Sequence, residues 1–215
     1  MGAFQVQDGQ TFLAIGDSIT DAGRRGDLAP FGNGYVSLFI EMVTAQFPDR
    51  CIRFINKGNG GNRITDLKER WEDDVIPNDP DWLSLMIGIN DVHSYLQDPT
   101  NGVSVALFSE TYDWILNETV QHTRARIVLM EPFYISTDRS GQTFRSQVLE
   151  TTLPEYIAVV HDMSRKYQTR LVRLHELFQH HLKFRPTETF CPEPVHPNRS
   201  GHVVIATELL RAVMA

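Results

Sequence analysis

The sequence predicts an α/β fold in which a five-stranded parallel sheet lies between two layers of helices. Short apolar runs of strand length alternate with longer segments of helical periodicity, which is typical of β-α units joined by right-handed crossovers. Two of the runs, Phe12–Ile15 and Leu83–Ile87, are nearly continuous rather than alternating. Strands that are buried on both faces of a parallel sheet have this character. In such a fold the functional loops gather at the carboxyl ends of the strands.

The order of the elements follows from the two periodicities. The predicted strands are Thr11–Gly16, Cys51–Asn56, Trp82–Gly88, Arg126–Glu131 and Arg170–Leu174. Apolar residues recur on one helical face in four segments, which are Tyr35–Phe47, Val103–Thr123, Gln147–Tyr167 and Ser200–Val213. Proline-rich stretches at 77–80 and 192–197 are predicted to be loops. The chain contains no internal repeat, and we expect residues 1–215 to form a single domain.

Composition excludes several classes of function. A net charge of −7 without a basic run argues against nucleic-acid binding, which needs a basic face to displace counterions. The two cysteines, Cys51 and Cys191, form no CxxC pattern, so we expect reduced thiols. His161, His180 and His181 lie in helical stretches without an H-E-x-x-H motif, and we expect neither a metal nor another cofactor. We therefore expect the ligand to be a small neutral molecule.

The same features bear on the cellular context. The first residues carry no basic segment followed by an apolar one, and no apolar run reaches the length of a membrane span. We therefore expect a cytoplasmic protein that does not enter a membrane. The sequence does not decide whether the protein forms a homo-oligomer.

A serine follows the first predicted strand. The segment Gly16-Asp17-Ser18-Ile19-Thr20 brings Ser18 to the carboxyl end of that strand, where this fold class collects its reactive groups. A turn or a helix N-cap has a similar composition. The G-x-S-x-G spacing of the nucleophile elbow is absent, because Thr20 stands in place of the second glycine. The motif alone is compatible with a nucleophile and with a structural turn.

The second and third predicted strands also end in polar segments. Asn56-Lys57-Gly58-Asn59-Gly60-Gly61-Asn62 is a glycine-rich loop whose backbone amides can turn toward one point. It does not match a phosphate-binding loop, because Arg63 occupies the last glycine position and no Gly-Lys-Ser/Thr follows. An oxyanion donor is the alternative. Gly88-Ile89-Asn90-Asp91 delivers the Asn90 amide to the same edge of the sheet, although asparagine is also a common turn residue.

A histidine lies in a stiff loop near the end of the chain. Glu193-Pro194-Val195-His196-Pro197 has a carboxylate three residues before the imidazole, and it lies between the last strand and the last helix. A lone histidine is usually structural. This one can fold back over the sheet edge beside Ser18, which would give a serine its general base.

Together the four segments resemble the SGNH (GDSL-type) hydrolases, in order and spacing, over essentially the whole chain. Further strings resemble the intracellular acetylxylan esterase branch of that superfamily, which removes acetyl groups from short xylo-oligosaccharides: Gly16-Asp17-Ser18-Ile19-Thr20-Asp21, Asn56-Lys57-Gly58, Asp66-Leu67-Lys68, Trp71-Glu72, Asp74-Val75-Ile76, Pro80-Asp81-Trp82 and Met86-Ile87-Gly88-Ile89-Asn90-Asp91-Val92. The resemblance implies a flavodoxin-like fold. It also implies a serine esterase that acts on short acyl esters of carbohydrates through an acyl-enzyme.

Carried over residue by residue, the resemblance implies Ser18 as the nucleophile and His196 as the general base. The oxyanion hole would consist of the backbone N–H groups of Ser18 and Gly61 and the side-chain amide of Asn90. One position departs from the family, which has aspartate three residues before the histidine where this chain has Glu193. We expect Glu193 to orient His196. The alternative is that Glu193 faces solvent and that a backbone carbonyl orients the imidazole.

Three residues next to these segments are predicted to contact the substrate, namely Asp17, His93 and Tyr95. Two other functions stay open at the level of sequence. One is a lysophospholipase or thioesterase that acts on longer acyl chains. The other is a non-catalytic sugar- or lipid-binding relative, to which only the altered acid at position 193 points.

Overall fold

The computed structural model describes residues 2–214, and in this range a parallel sheet of five strands forms the centre of the molecule. The strands are β1 (Thr11–Gly16), β2 (Arg53–Gly58), β3 (Trp82–Met86), β4 (Arg126–Met130) and β5 (Arg170–Val172). Their spatial order is β2-β1-β3-β4-β5. The chain reverses its winding direction at the boundary between β1 and β3, and ligands of doubly wound folds bind in the crevice at such a switch point.

Helices cover the sheet on both sides, which confirms the predicted three-layer α/β/α class. The helices are α1 (Ser18–Asp21), α2 (Tyr35–Gln46), α3 (Ile64–Glu69), α4 (Trp71–Asp74), α5 (Ile89–Gln97), α6 (Val105–His122), α7 (Phe144–Gln147), α8 (Leu153–Tyr167), α9 (Leu174–His181) and α10 (Arg199–Ala212). In one layer α2 packs against α10, and in the other α6 packs against α3 and α8. Short 3-10 turns at Ile76–Asn78 and Thr187–Thr189 complete the chain.

The core explains the continuous apolar runs. Every residue of β3 is buried, and β1 is buried from Phe12 onward, because both strands lie inside the sheet with helices on each face. Strand β2 lies at the sheet edge and is only partly covered. The predicted alternation of strands and helices is therefore correct. The apolar runs are continuous because the central strands are buried on both faces.

Several predicted boundaries are wrong by a few residues. Strand β2 runs from Arg53 to Gly58 rather than over Cys51–Asn56, because Arg53 pairs with Thr11 and Gly58 with Gly16. The last three strands end earlier than predicted, at Met86, Met130 and Val172. The helix predicted over Gln147–Tyr167 begins with a π-helical turn at Val148–Thr152 and becomes α-helical only at Leu153, one residue before Pro154. The proline has no N–H, so a regular helix starts there more easily.

Candidate active site

Ser18 is the first residue of α1, directly after β1. The preceding residue, Asp17, caps this short helix: its Oδ1 accepts a hydrogen bond from the Ile19 N–H at 2.9 Å. The Ser18 N–H lies in the first turn, where backbone donors have no acceptor within the helix. The local sequence Asp-Ser therefore starts a helix and leaves the serine hydroxyl partly exposed at the carboxyl edge of the sheet.

Asp17 itself does not reach the surface. Only 1% of the residue is accessible, and burial raises the pKa of its carboxyl to about 6. The prediction that Asp17 contacts the substrate is wrong, because the side chain turns inward to cap α1. Its contribution is to hold the turn that presents Ser18.

The loop before α10 brings His196 to Ser18 across 178 residues of sequence, with 2.9 Å between Ser18 Oγ and His196 Nε2. A backbone bond from the Ile135 N–H to the Pro194 carbonyl fixes the loop to the segment after β4. Val195 is buried beneath it. The stiffness expected from the prolines is thus reinforced by an anchor in the core.

Glu193 lies on the other side of the imidazole. Its Oε1 is 2.6 Å from His196 Nδ1, and the same carboxylate accepts the backbone N–H groups of Val195 and His196 at 3.0 and 2.7 Å. Partial burial raises the pKa of this carboxyl, but those backbone bonds and the imidazole outweigh it, so the net pKa is lowered. A carboxylate at Nδ1 makes that nitrogen the protonated one, which leaves Nε2 free to accept the Ser18 hydroxyl.

The glycine loop after β2 contains one unpaired amide. Of the seven backbone N–H groups in the described segment 58–64, only that of Gly61 lacks a protein acceptor. The other six are satisfied as follows: Gly58 by Asn56 Oδ1, Asn59 by the Gly16 carbonyl, Gly60 by Asp21 Oδ2, Asn62 by the Asn59 carbonyl, Arg63 by Asp66 Oδ2 and Ile64 by Asp91 Oδ1. Gly61 lies at the exposed rim of the loop, so its free N–H is accessible to a ligand.

Asn90 lies in the first turn of α5 and not in the turn that sequence reasoning considered. Its Nδ2 donates to the Asn62 carbonyl at 3.0 Å, and an amide nitrogen carries a second hydrogen that this bond does not use. The bond links Asn90 directly to the loop that carries Gly61. Two of the predicted oxyanion donors are therefore parts of one connected structure.

Two supporting carboxylates were missed at the level of sequence. Asp21 accepts from the Gly60 N–H, and Asp91 accepts from the Ile64 N–H. Both aspartates lie inside segments that the resemblance rests on, but their side chains act across the fold rather than along the chain. The available signal was an aspartate within a helix that follows each strand end.

His93 and Tyr95 point in different directions from α5. The His93 ring lies edge-on to Tyr134, with 5.9 Å between ring centroids, and 5.3 Å from the Phe144 ring. Burial lowers its pKa, while the charges of Glu193 and His196 act on it in opposite directions. His93 is therefore on the side of the helix that faces Glu193 and His196.

Tyr95 is two residues further, about 200° around the helix. It lies against Gly102 and Tyr156, on the side away from His93. A contact between Tyr95 and the substrate therefore stays a prediction, on a different side of α5 from His93. Proximity in sequence to Asn90 suggested the role, and the helical conformation of this segment separates Tyr95 from His93 around the axis.

A shallow depression of about 350 Å³ adjoins the serine. Its lining consists of small and charged residues, namely Ser18, Asp21, Ala22, Gly23, Arg25 and Gly26. Arg25 forms an ion pair with Asp21 at 2.8 Å, and its side chain is exposed. The depression offers hydrogen-bonding groups and no large apolar side chain.

Residues 2–214 show no feature typical of a metal site or of a membrane span. No group of three or more His, Cys, Asp or Glu side chains in this range is arranged to hold a metal ion. None of the helices described here combines the length and the apolar character of a membrane span. The two cysteines in this part of the chain are free thiols, and burial raises the pKa of Cys191 to about 12.

Comparison with known proteins identifies the family. Residues 14–204 match the model of the GDSL-like lipase/acylhydrolase family. The chain is 35% identical to an acetylxylan esterase of Geobacillus stearothermophilus, over 97% of this chain and 96% of that protein. The crystal structure of this relative, Axe2, has a TM-score of 0.87 at 34% identity and 97% coverage of this chain and 96% of that one.

Other solved structures agree. They include catalytic mutants of Axe2 in which a serine, an aspartate or a histidine is replaced by alanine. An alpha/beta hydrolase enzyme from the metagenome of Lake Arreo, Spain, has the same TM-score of 0.87 at 30% identity, with 98% of both chains covered. The chain therefore belongs to the GDSL-like lipase/acylhydrolase family and is a serine esterase.

Proposed function

We propose that Ser18, His196 and Glu193 form the catalytic triad of this esterase. The observation that carries the proposal is the continuous hydrogen-bonded chain from the Ser18 hydroxyl through both imidazole nitrogens to the Glu193 carboxylate, with distances of 2.9 and 2.6 Å. A serine hydroxyl is a weak nucleophile until a neighbouring base accepts its proton. The chain of bonds gives each group the role that this chemistry needs.

The reaction proceeds in two halves. Ser18 Oγ attacks the ester carbonyl while His196 Nε2 takes the hydroxyl proton, and the same proton then goes to the departing alcohol. Water, deprotonated by His196, attacks the acyl-enzyme and releases the acid. Glu193 stays ionised throughout and stabilises the imidazolium that forms in each half, which agrees with its lowered pKa.

In this proposal three hydrogen-bond donors stabilise the negative charge of the tetrahedral intermediate. They are the backbone N–H groups of Ser18 and Gly61 and the free hydrogen of the Asn90 amide. The unpaired state of the Gly61 N–H, in a loop whose other amides are satisfied, supports its selection. Each donor of this kind contributes about 3–4 kcal/mol to the transition state.

The substrate class we infer is a short acyl ester of a carbohydrate, with acetyl as the acyl group. The relative with 35% identity is an acetylxylan esterase. The depression beside Ser18 suits a hydroxyl-rich leaving group, since small and charged residues line it. His93, backed by Tyr134 and Phe144, is proposed to line the substrate site on the side of the triad.

The same features disfavour a lysophospholipase or thioesterase, because a long acyl chain needs an apolar groove lined by large side chains. We further infer that residues 14–204, which match the family model, act with their flanks as one hydrolase domain. The partner in solution would then be the small-molecule ester itself.

The test is activity of the Ser18→Ala variant on p-nitrophenyl acetate, p-nitrophenyl octanoate and acetylated xylo-oligosaccharides. We expect the wild type to prefer acetyl over octanoyl esters and to release acetate from the sugars. Ser18→Ala should lose this activity and its labelling by a fluorophosphonate, while Ser37→Ala, an α2 serine bonded to Glu41, keeps both. Residual activity above a few per cent in Ser18→Ala would overturn the nucleophile, and a preference for octanoyl would overturn the substrate class.

A further inference from the structure

Two aspartates hold the glycine loop on either side of Gly61. Asp21 Oδ2 accepts from the Gly60 N–H at 3.1 Å, and Asp91 Oδ1 accepts from the Ile64 N–H at 2.9 Å. Asp91 is completely buried, and Asp21 is 8% exposed. The segment that contains the free amide is thus bonded to a carboxylate from α1 and to another from α5.

Asp91 connects this loop to the helix that bears Asn90. Two adjacent residues of α5 bond the loop, one through the Asn90 amide to the Asn62 carbonyl and one through the Asp91 carboxyl to the Ile64 N–H. These bonds have opposite polarity, so the loop cannot slide along α5 without breaking one of them. They fix the position of the Gly61 N–H relative to the Asn90 amide.

Asp91 has one oxygen without a hydrogen-bond partner, and a purely structural role does not explain this. Its second oxygen, Oδ2, is buried without any hydrogen-bond partner in the protein. Burial of a carboxyl that is only half satisfied is unfavourable, and such groups persist where another property of the molecule requires them.

Asp21 makes the corresponding connection to the serine. It ends α1, the short helix that begins with Ser18, and its carboxyl also bonds the Arg24 N–H and the Arg25 guanidinium. Movement of the loop away from α1 would break the bond to Gly60. The three proposed donors, on α1, the loop and α5, are in this way joined through two carboxylates and one amide.

We propose that Asp91 and Asp21 are positioning residues that hold the Gly61 N–H toward the developing oxyanion. The proposal rests on the oxyanion hole proposed above. Neither carboxylate touches the substrate carbonyl in this scheme. Each acts through the loop, so its loss should reduce the stabilisation of the transition state and leave ground-state binding nearly unchanged.

The experiment compares Asp91→Ala and Asp91→Asn with the wild type on p-nitrophenyl acetate. A misplacement of about 1 Å can reduce a rate 100-fold, so we expect kcat to fall about 10- to 100-fold in Asp91→Ala with KM within about threefold. Asp91→Asn should recover most of kcat, because the amide oxygen still accepts the Ile64 N–H. Glu131→Ala is the matched control, since Glu131 is 2% exposed and accepts the His175 N–H at 3.0 Å but does not contact the loop.

A double mutant links the effect to the oxyanion hole. Asn90→Ala alone should reduce kcat, and Asn90→Ala with Asp91→Ala should reduce it by less than the product of the two single effects, because both act on the same donors. Asp21→Ala provides an independent arm if Asp91→Ala does not fold, and it should show the same loss of kcat. Because Asp21 also lines the depression beside Ser18, only kcat is compared for this variant. Equal losses in Glu131→Ala and Asp91→Ala, or a change in KM alone, would overturn the proposal.

Failure of the two proposals is distinguishable. If Asn90→Ala keeps a wild-type kcat, the oxyanion hole is wrong and the positioning role falls with it. If Asn90→Ala loses kcat while both aspartate variants keep it, the oxyanion hole stands and only the positioning role is refuted.

Discussion

Glu193 is the residue at which this chain leaves the pattern of its family. Glutamate is one methylene longer than the aspartate expected there, yet its carboxylate reaches His196 Nδ1 at 2.6 Å. The extra length is taken up because the carboxylate also folds back onto the amides of Val195 and His196. The loop and the acid are therefore matched to each other, and the alternative of a solvent-facing Glu193 does not agree with these contacts.

The first prediction concerns that match. Glu193→Gln should reduce kcat, by up to about 10⁴-fold, because an amide favours the wrong imidazole tautomer. Glu193→Asp should recover only part of the activity, since Pro192 and Pro194 restrict the loop and the shorter acid falls short of Nδ1. Steady-state kinetics on p-nitrophenyl acetate measure both.

Glu188→Gln is the control for this prediction. Glu188 is an exposed acid in the short 3-10 turn that precedes the same loop, and its side chain is not part of the triad. Its kcat should stay at the wild-type value. Near-wild-type rates in Glu193→Gln would make the site a Ser18–His196 dyad and leave the other roles intact.

At the residue scale, the sequence indicated the site residues whose placement depends on where a strand ends. Ser18, His196 and Glu193, which were selected from the sequence, lie within hydrogen-bonding distance of one another. Asp17 and Tyr95 were selected because they are neighbours of site residues in sequence. Burial directs the Asp17 side chain inward, and the helical rotation of α5 places Tyr95 on a different side of the helix from His93. Neither is visible without the conformation of the segment.

At the scale of elements, the loop after β2 is the feature that sequence could only outline. Its glycines predicted a flexible run of amides, but which amide stays free depends on acceptors from four other parts of the chain. The helices α3 and α5 were not predicted, because each is short and begins inside a segment rich in glycine and asparagine. Tertiary bonds from Asp91 and Asn90, rather than propensity, stabilise this region.

The next prediction concerns two glycines of this element. Each position requires glycine, but for a different structural reason. A Cβ on Gly58 would lie 2.2 Å from the Asp21 nitrogen, whereas a Cβ on Gly61 would meet no atom within 4 Å. Gly61 instead has a φ of +79°, in the left-handed region. Gly61→Ala should lower the free energy of unfolding by about 1–2 kcal/mol, the cost of that conformation for alanine. Gly58→Ala should lower it by more, because backbone must move.

Urea denaturation of both variants measures this difference. Gly9→Ala is a suitable control, because Gly9 also has a positive φ and open space but lies far from the loop in sequence. The free energy of unfolding of Gly9→Ala should resemble that of Gly61→Ala, and its kcat should equal that of the wild type. Equal destabilisation by Gly58→Ala and Gly61→Ala would contradict the close packing of β2 against α1.

At the scale of the whole molecule, the strand order creates the site. Strands β1 and β3 are neighbours at the point where the winding reverses, so Ser18 and Asn90 emerge side by side. Strand β2 pairs with β1 on its other edge and brings the glycine loop to the same rim. The alternation of strands and helices predicted that these segments share the carboxyl edge of the sheet, but it did not give the strand order. The return of the His196 loop required the anchor to Ile135, which no sequence pattern indicates.

The last prediction follows from titratable groups buried in the interior. Burial raises the pKa of Asp91 to about 7, far above the ordinary value of 3.8. Between these two values the folded protein keeps a proton that the unfolded chain has released, so the free energy of unfolding falls as the pH rises from about 4 to 7. The opposite trend comes from His175 and His202, whose pKa burial lowers to about 4, because below the ordinary value of 6.5 the unfolded chain binds protons that the folded one does not.

Asp91→Asn separates the two trends, because the amide does not titrate and the histidines are unchanged. Relative to the wild type, this variant should gain stability steadily as the pH rises from about 4 to 7 and then stay level, at about 1.4 kcal/mol for each unit of pKa difference. Urea denaturation at several pH values measures both proteins. Asp73→Asn is the control, since Asp73 is exposed and lies on the surface helix α4, and its curve should stay parallel to that of the wild type between those limits. Parallel curves for Asp91→Asn would mean that the Asp91 carboxyl is ionised in the folded protein throughout this range.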